Sequence, residues 1–86
     1  MQWSDIRRHY PNQWLLLEAL QAHSEANHRV LDELAVLGVY ADSQAALAGY
    51  AQLQRAAPAR ELYVFHTSRE HLDVLERRWL GIRAAA

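Results

Sequence analysis

The chain of 86 residues contains no cysteine and no lysine, and only two prolines, three glycines and one phenylalanine. The first absence excludes disulfides, thiolate metal sites and cysteine nucleophiles together, so stability has to come from packing. With no lysine, nine arginines face ten carboxylates, and a net charge of −1 leaves no basic footprint of the kind a nucleic-acid binder carries. From Arg60 onward five arginines meet four acids, an asymmetry too small to name a partner. No apolar run approaches the ~20 residues that a membrane helix needs. The opening Met1-Gln-Trp-Ser-Asp5 lacks the basic and then apolar regions of a signal peptide, which leads to the expectation of a cytoplasmic location.

What is present is the mixture of a globular protein, 51% hydrophobic and 22% charged. A single domain over residues 1–86 is expected, with Ala84–Ala86 as a frayed tail. A chain this short buries about 60–65% of the surface exposed when unfolded, so its core is limited.

Ser4-Asp5 offers a helix start, Ile6 an apolar contact, and the Tyr10-Pro11-Asn12 turn a stop, which predicts a short helix over Trp3–His9. Two long strands joined at Ser24–Asn27 are the preferred reading of residues 14–40. The alternative is a helical hairpin, which propensity favours in Trp14–Glu25; Ala35-Val-Leu-Gly-Val-Tyr-Ala41 is β-like, rich in Val and Tyr with an interrupting glycine. Asp42 or Ser43 then caps a helix in which Leu47, Tyr50 and Leu53 mark one face, with Ala46 and Ala51 beside them, and Ala57-Pro58 ends it. Leu62-Tyr-Val-Phe65 reads as a strand covered on both faces. Strand, helix and strand form a β–α–β crossover whose strands run parallel if they share a sheet.

The residues with chemical potential cluster in Arg60-Glu-Leu-Tyr-Val-Phe-His-Thr-Ser-Arg-Glu70. His66 and Ser68 supply a base and a hydroxyl, and Arg69 a counter-charge for an anion, which together make a hydrolase hypothesis. Against it, no glycine-rich elbow exposes Ser68, and Thr67-Ser-Arg-Glu70 fits a capping box, so a polar turn ending a strand is preferred. Five histidines invite a metal, but His66 and His71 lie five apart, off a common helical face, and no second pair has zinc-ligand spacing; no metal and no cofactor are expected. Glu76-Arg77-Arg78-Trp79 with Arg83 sets guanidiniums beside an aromatic ring and is a candidate phosphate or base contact, weighed against internal pairing with nearby acids.

The motifs Tyr10-Pro-Asn-Gln-Trp-Leu-Leu-Leu-Glu-Ala19, Arg60–Glu70 and Glu76-Arg-Arg-Trp-Leu-Gly-Ile-Arg83 resemble a family of short bacterial proteins, cyanobacterial ones among them, over nearly the whole chain. The resemblance implies no activity or ligand; it favours strands in the first half.

The sequence therefore predicts a small α+β domain: a short helix, a long hairpin, one main helix packed on the sheet, a central strand, and a final edge strand over Trp79–Arg83. One main helix on such a sheet leaves an apolar face or an edge strand uncovered, which motivates a non-enzymatic protein-interaction or regulatory module, antitoxin-like in scale, that works as a homo-oligomer or with a protein partner. The alternatives are a weak nucleic-acid or phosphate binder using Arg69, Arg77, Arg78 and Arg83, and a small hydrolase using His66 and Ser68. Candidate interaction residues are His66, Ser68, Arg69, Glu70, Arg77, Arg78, Trp79 and Arg83, with no membrane role.

Overall fold

The computed structural model describes residues 1–75. Helix α1 (Trp3–His9) is followed by strands β1 (Trp14–Glu25) and β2 (His28–Tyr40), helix α2 (Ser43–Ala56) and strand β3 (Leu62–His66). The sheet order is β2-β1-β3, and β1 is antiparallel to both neighbours. The two strands joined by α2 therefore run parallel, as the crossover predicts, with β1 between them. The chain is a small α+β fold. The expected final strand over Trp79–Arg83 lies outside the described residues.

Residues 14–40 form strands because both sides of β1 are needed. Leu15, Leu16 and Leu17 are all buried, a consecutive run that a helix cannot bury against one layer but a strand covered on both faces can. Leu15 and Leu17 join Leu34, Phe65 and Ile6 of α1 in one cluster. Alternation turns Leu16 and Leu62 to the opposite face, where α2 packs across all three strands.

The hairpin turn is two residues long, with Ala26 at φ 49° and Asn27 at φ 66°. Such a turn matches the right-handed twist of its strands but requires the left-handed region at both positions. An alanine there is strained by about 1–2 kcal/mol, whereas asparagine tolerates the conformation. Ala26→Asn is expected to stabilise the fold by about 0.5–1 kcal/mol, read as a rise of several degrees in Tm; no rise would mean the turn relaxes in solution.

Helix α1 has the expected span but a different start. Gln2, not Ser4 or Asp5, occupies the N-cap, with no side-chain cap bond, and Asp5 pairs with Arg8. The chain is already fixed at Met1, whose ammonium donates to the Leu34 carbonyl at 2.7 Å and whose carbonyl accepts the Leu34 N–H at 2.9 Å. A tertiary tether thus sets the helix start where a local cap signal pointed two residues later.

Asp42 caps α2, accepting the Ala45 N–H at 2.8 Å. The helix's inner face departs from the expected one at Leu47, which is 53% exposed, while Ala46 beside it is fully buried and Tyr50, Ala51 and Leu53 are half-buried. Small residues win because the Tyr40 ring lies between Gly38 and Gly49. A Cβ on Gly38 would stand 2.7 Å from the Tyr40 hydroxyl, and one on Gly49 closer still. Gly49→Ala gains about 1 kcal/mol of helix propensity but overpacks this contact, which costs about 1–3 kcal/mol. A net loss of about 1 kcal/mol is expected in denaturant titration. In a Tyr40→Phe background the nearest atom is gone and the closest ring carbon stands 3.0 Å away, so the same substitution is expected to cost less.

Candidate functional site

The Arg60–Glu70 stretch is built into the fold at almost every position. Its first two charges clamp opposite faces of the sheet. Arg60 reaches Glu18 of β1 through Nε at 3.1 Å and a terminal nitrogen at 2.6 Å. Glu61 receives Arg29 of β2 in a two-point pair, both contacts at 2.9 Å, and the Tyr63 hydroxyl donates to the same carboxylate at 2.6 Å. Hydrogen bonds from the guanidiniums hold the Glu18 and Glu61 carboxyls below their usual range. Burial, then the Glu61 carboxylate, pushes the Tyr63 phenol upward.

A pH dependence follows with a definite sign. Because the folded-state pKa of Glu61 is depressed, its contribution is present above the unfolded value of about 4.3 and is lost as pH falls through the lower folded value. Tm is expected to fall on acidification below about pH 4.3, and less steeply in Arg29→Met, which removes the cation responsible. An unchanged slope in that variant would place the acid sensitivity elsewhere.

Further along, Phe65 stacks on Tyr63 at 5.6 Å, meets the edge of Trp3 at 5.9 Å and carries the Arg69 guanidinium over its face at 5.1 Å. Thr67 is 3% exposed. Its N–H donates to the Gln13 carbonyl and its hydroxyl accepts the Gln13 N–H, both at 3.0 Å. Two α1 side chains complete the clasp: Arg7 Nε donates to the Thr67 carbonyl and Trp3 Nε1 to the Arg69 carbonyl, each at 2.9 Å.

The capping-box expectation is corrected here. Thr67 is occupied by Gln13, Glu70 is exposed, and no helix follows among the described residues up to Leu75; residues 67–68 form a turn. The strand ending in a shaped polar turn is present, but the signal read as a helix start serves a β1–β3 junction.

His66 and Ser68 do meet. The Ser68 hydroxyl lies 2.8 Å from His66 Nδ1, and the Ser68 N–H donates to the same nitrogen at 3.1 Å. That backbone donor requires an unprotonated Nδ1, so the neutral ring carries its proton on Nε2. Trp14 presents its ring at 5.0 Å and 69° to the imidazole. For nucleophilic chemistry the pair has a hydroxyl within reach of a base, but the base nitrogen is shared with a backbone donor. Among the described residues no carboxylate contacts the imidazole to orient it.

Of the candidate residues, His66, Ser68, Arg69 and Glu70 therefore share one turn, with Arg69 turned back onto Phe65; Arg77, Arg78, Trp79 and Arg83 lie outside the described residues. Glu70 borders a groove of ≈ 840 Å³ between α1, the β2 segment His28–Asp32 and residues 70–74. Its rim mixes Arg7 and His28 with Asp32, Glu70 and Asp73, so it has no dominant charge. No cluster suited to a metal ion occurs among the described residues.

The feature that candidate-residue reasoning passed over is the outer edge of β2. Its first half is covered by the chain itself: Arg29 donates to the Val74 carbonyl at 2.9 Å, His28 bridges Leu75, and Leu34 exchanges two bonds with Met1. Beyond Leu34, among the described residues, no backbone group pairs with that edge up to Tyr40. There Leu37 is 37% and Val39 45% exposed. The signal was in the sequence as Leu34-Ala-Val-Leu-Gly-Val-Tyr-Ala41, eight residues without a charge. The other edge of the sheet among the described residues, β3, is different: five residues, bracketed by Arg60-Glu61 and Arg69-Glu70, charges that protect a strand from pairing.

No family model, curated protein or solved structure matches the chain.

Proposed function

We propose that the protein is a non-enzymatic interaction module that associates through the half of β2 that the described residues leave uncovered. The observation that carries the reading is the edge from Ala35 to Tyr40, without a charge and with Leu37 and Val39 exposed, in a strand whose other half the chain covers with its own backbone. Such an edge offers main-chain hydrogen bonds for affinity and apolar side chains for selectivity, the mode of strand addition. The likeness to a family of short bacterial proteins rests on sequence motifs and adds no activity to this reading. A cytoplasmic setting belongs to the same proposal. Among the described residues no helix is long and apolar enough to cross a membrane.

The test uses the full chain as bait in extract of its own cells, beside a Leu37→Lys/Val39→Lys variant that keeps its circular dichroism and melting cooperativity. Association with itself or with a protein, lost in the variant, is the expected result. Association that survives both lysines, or none with any protein, contradicts the reading. Nucleic acid in the eluate, released by salt, would favour the arginine-based alternative using Arg69, Arg77, Arg78 and Arg83.

One contact favours a second reading, hydrolysis by Ser68 with His66 as base: their 2.8 Å approach. A fluorophosphonate probe is expected to leave Ser68 unlabelled, because no acid among the described residues orients the imidazole. Stoichiometric labelling, lost in His66→Ala, would reverse the order of the two readings.

A further inference from the structure

We infer that the occupant of the β2 edge left open by the described residues is a second copy of this chain, paired antiparallel about a two-fold axis within residues 35–40, so that the sheets of the two copies become one. The inference rests on the strand-addition reading above and names its partner.

Three observations select a copy over another strand. The first is charge. In a two-fold antiparallel pair each residue of the stretch faces a residue of the same stretch, and Leu34–Ala41 contains no Asp, Glu, Arg, Lys or His whose charge would meet its like or be buried alone. Asp32 and Glu33, and Asp42 on the other side, mark where neutrality ends.

The second is length. Met1 occupies the edge at Leu34, and the chain leaves β2 at Tyr40 to begin α2 at Ser43. An incoming strand therefore has room for about six residues before it meets the Met1 backbone. The same edge on a copy has that length and those limits, because the same two features bound it.

Shape is the third. The ladder between β1 and β2 slips at Leu17, where both Val36 and Leu37 stand opposite one residue. A bulge raises local twist and removes one regular pairing position, which discourages a flat strand from docking. A copy carries the same bulge and twist, and the two-fold axis superposes them. Closed pairing of this kind uses up the edge, so assembly stops at two chains.

The natural absence of cysteine makes the geometry directly testable. Across a two-fold axis only the residue on the axis lies opposite itself; positions two residues away are separated from their own copies by too much for a disulfide, which needs Cα atoms about 4.4–6.8 Å apart. Single cysteines are placed in turn at Ala35, Val36, Leu37, Gly38, Val39 and Tyr40 in the full chain, oxidised, and scored for covalent dimer. Sedimentation velocity over a concentration series accompanies them for the unmodified chain, for Val39→Lys, and for Leu47→Lys as a control on the exposed face of α2.

The expected outcome is a reversible dimer, a sharp maximum of cross-linking at one or two adjacent positions, and a rise of roughly tenfold or more in the dissociation constant for Val39→Lys but not for Leu47→Lys. A dimer with a flat, low cross-linking profile, or one indifferent to Val39→Lys, overturns the inference. A monomer at all concentrations overturns it too. If that monomer still captures a protein from extract through an edge sensitive to Val39→Lys, the strand-addition reading stands while the choice of partner fails. If capture ignores Val39→Lys, both fail.

Discussion

Replacing Phe65 by alanine is expected to cost about 3–5 kcal/mol, the range for deleting a buried aromatic side chain. The ring is 7% exposed and sits opposite Leu15 in the ladder between β1 and β3. It ties four elements together: it stacks on Tyr63, receives the edge of Trp3 from α1, packs in the cluster with Ile6 and Leu34, and supports the Arg69 guanidinium beyond the end of β3. Aromatic contacts of this geometry add about 0.5–1.5 kcal/mol to the burial itself. Domains have only about 5–15 kcal/mol in all, so the variant should be largely unfolded at modest urea or well below the parent's Tm. Phe65→Leu, which keeps much of the volume, is expected to lose less than half as much. A cost for Phe65→Ala below about 1 kcal/mol, the level of an ordinary single substitution, would mean that the ring is peripheral to the core.

Thr67→Val is expected to cost about 1–3 kcal/mol, although the two side chains have nearly the same shape. The hydroxyl is the acceptor for the Gln13 N–H, in a place where Thr67 is 3% exposed, and valine leaves that donor without its partner. Thr67→Ser keeps the oxygen and should recover most of the loss. Glu70 separates this account from a helix cap. In a capping box Glu70→Ala would cost about as much as the threonine change, whereas an exposed Glu70 predicts an effect within about ±0.5 kcal/mol. Urea titration of the three variants decides the point, and a Glu70→Ala loss near that of Thr67→Val would restore the cap.

Much of the fold was legible because its signals were local and agreed with each other. The turn residues Pro11-Asn12 and Ala26-Asn27, the Asp42 cap and the Ala57-Pro58 stop all mark boundaries by their own backbone chemistry, and the observed element spans follow them closely. Residues 14–40 were harder, since Trp14–Glu25 has the propensity of a helix; the strand reading prevailed through Val36, Val39 and Tyr40 in the partner segment. The misreadings share a cause. The start of α1 is set by Met1 pairing with Leu34, the inner face of α2 by Tyr40 lodging between Gly38 and Gly49, and the role of Thr67 by Gln13. In each case a residue distant in sequence supplied the partner that a local motif appeared to need from its neighbours.

The candidate site shows the same division. A cluster such as His66-Thr-Ser-Arg-Glu70 attracts a chemical reading because its residue types are reactive. Four of its five members have structural partners in the fold: Gln13 for Thr67, the Phe65 ring for Arg69, and His66 and Ser68 for each other. The surface proposed for association carries no reactive residue at all. Its sequence signature is a missing charge over Leu34–Ala41, which becomes informative only once the sheet order places β2 at an edge and Met1 and Val74 are seen to cover half of it.

Amide hydrogen exchange on the full chain, followed residue by residue as protein concentration is raised, tests the proposed role of that edge most directly. The account predicts that amides between Ala35 and Tyr40 facing away from β1 exchange rapidly in dilute solution and become protected as concentration rises, while Leu15–Leu17 in the core stay unchanged. Exchange at Ala35–Tyr40 that is independent of concentration, with the added protection appearing on another surface or on none, would contradict it.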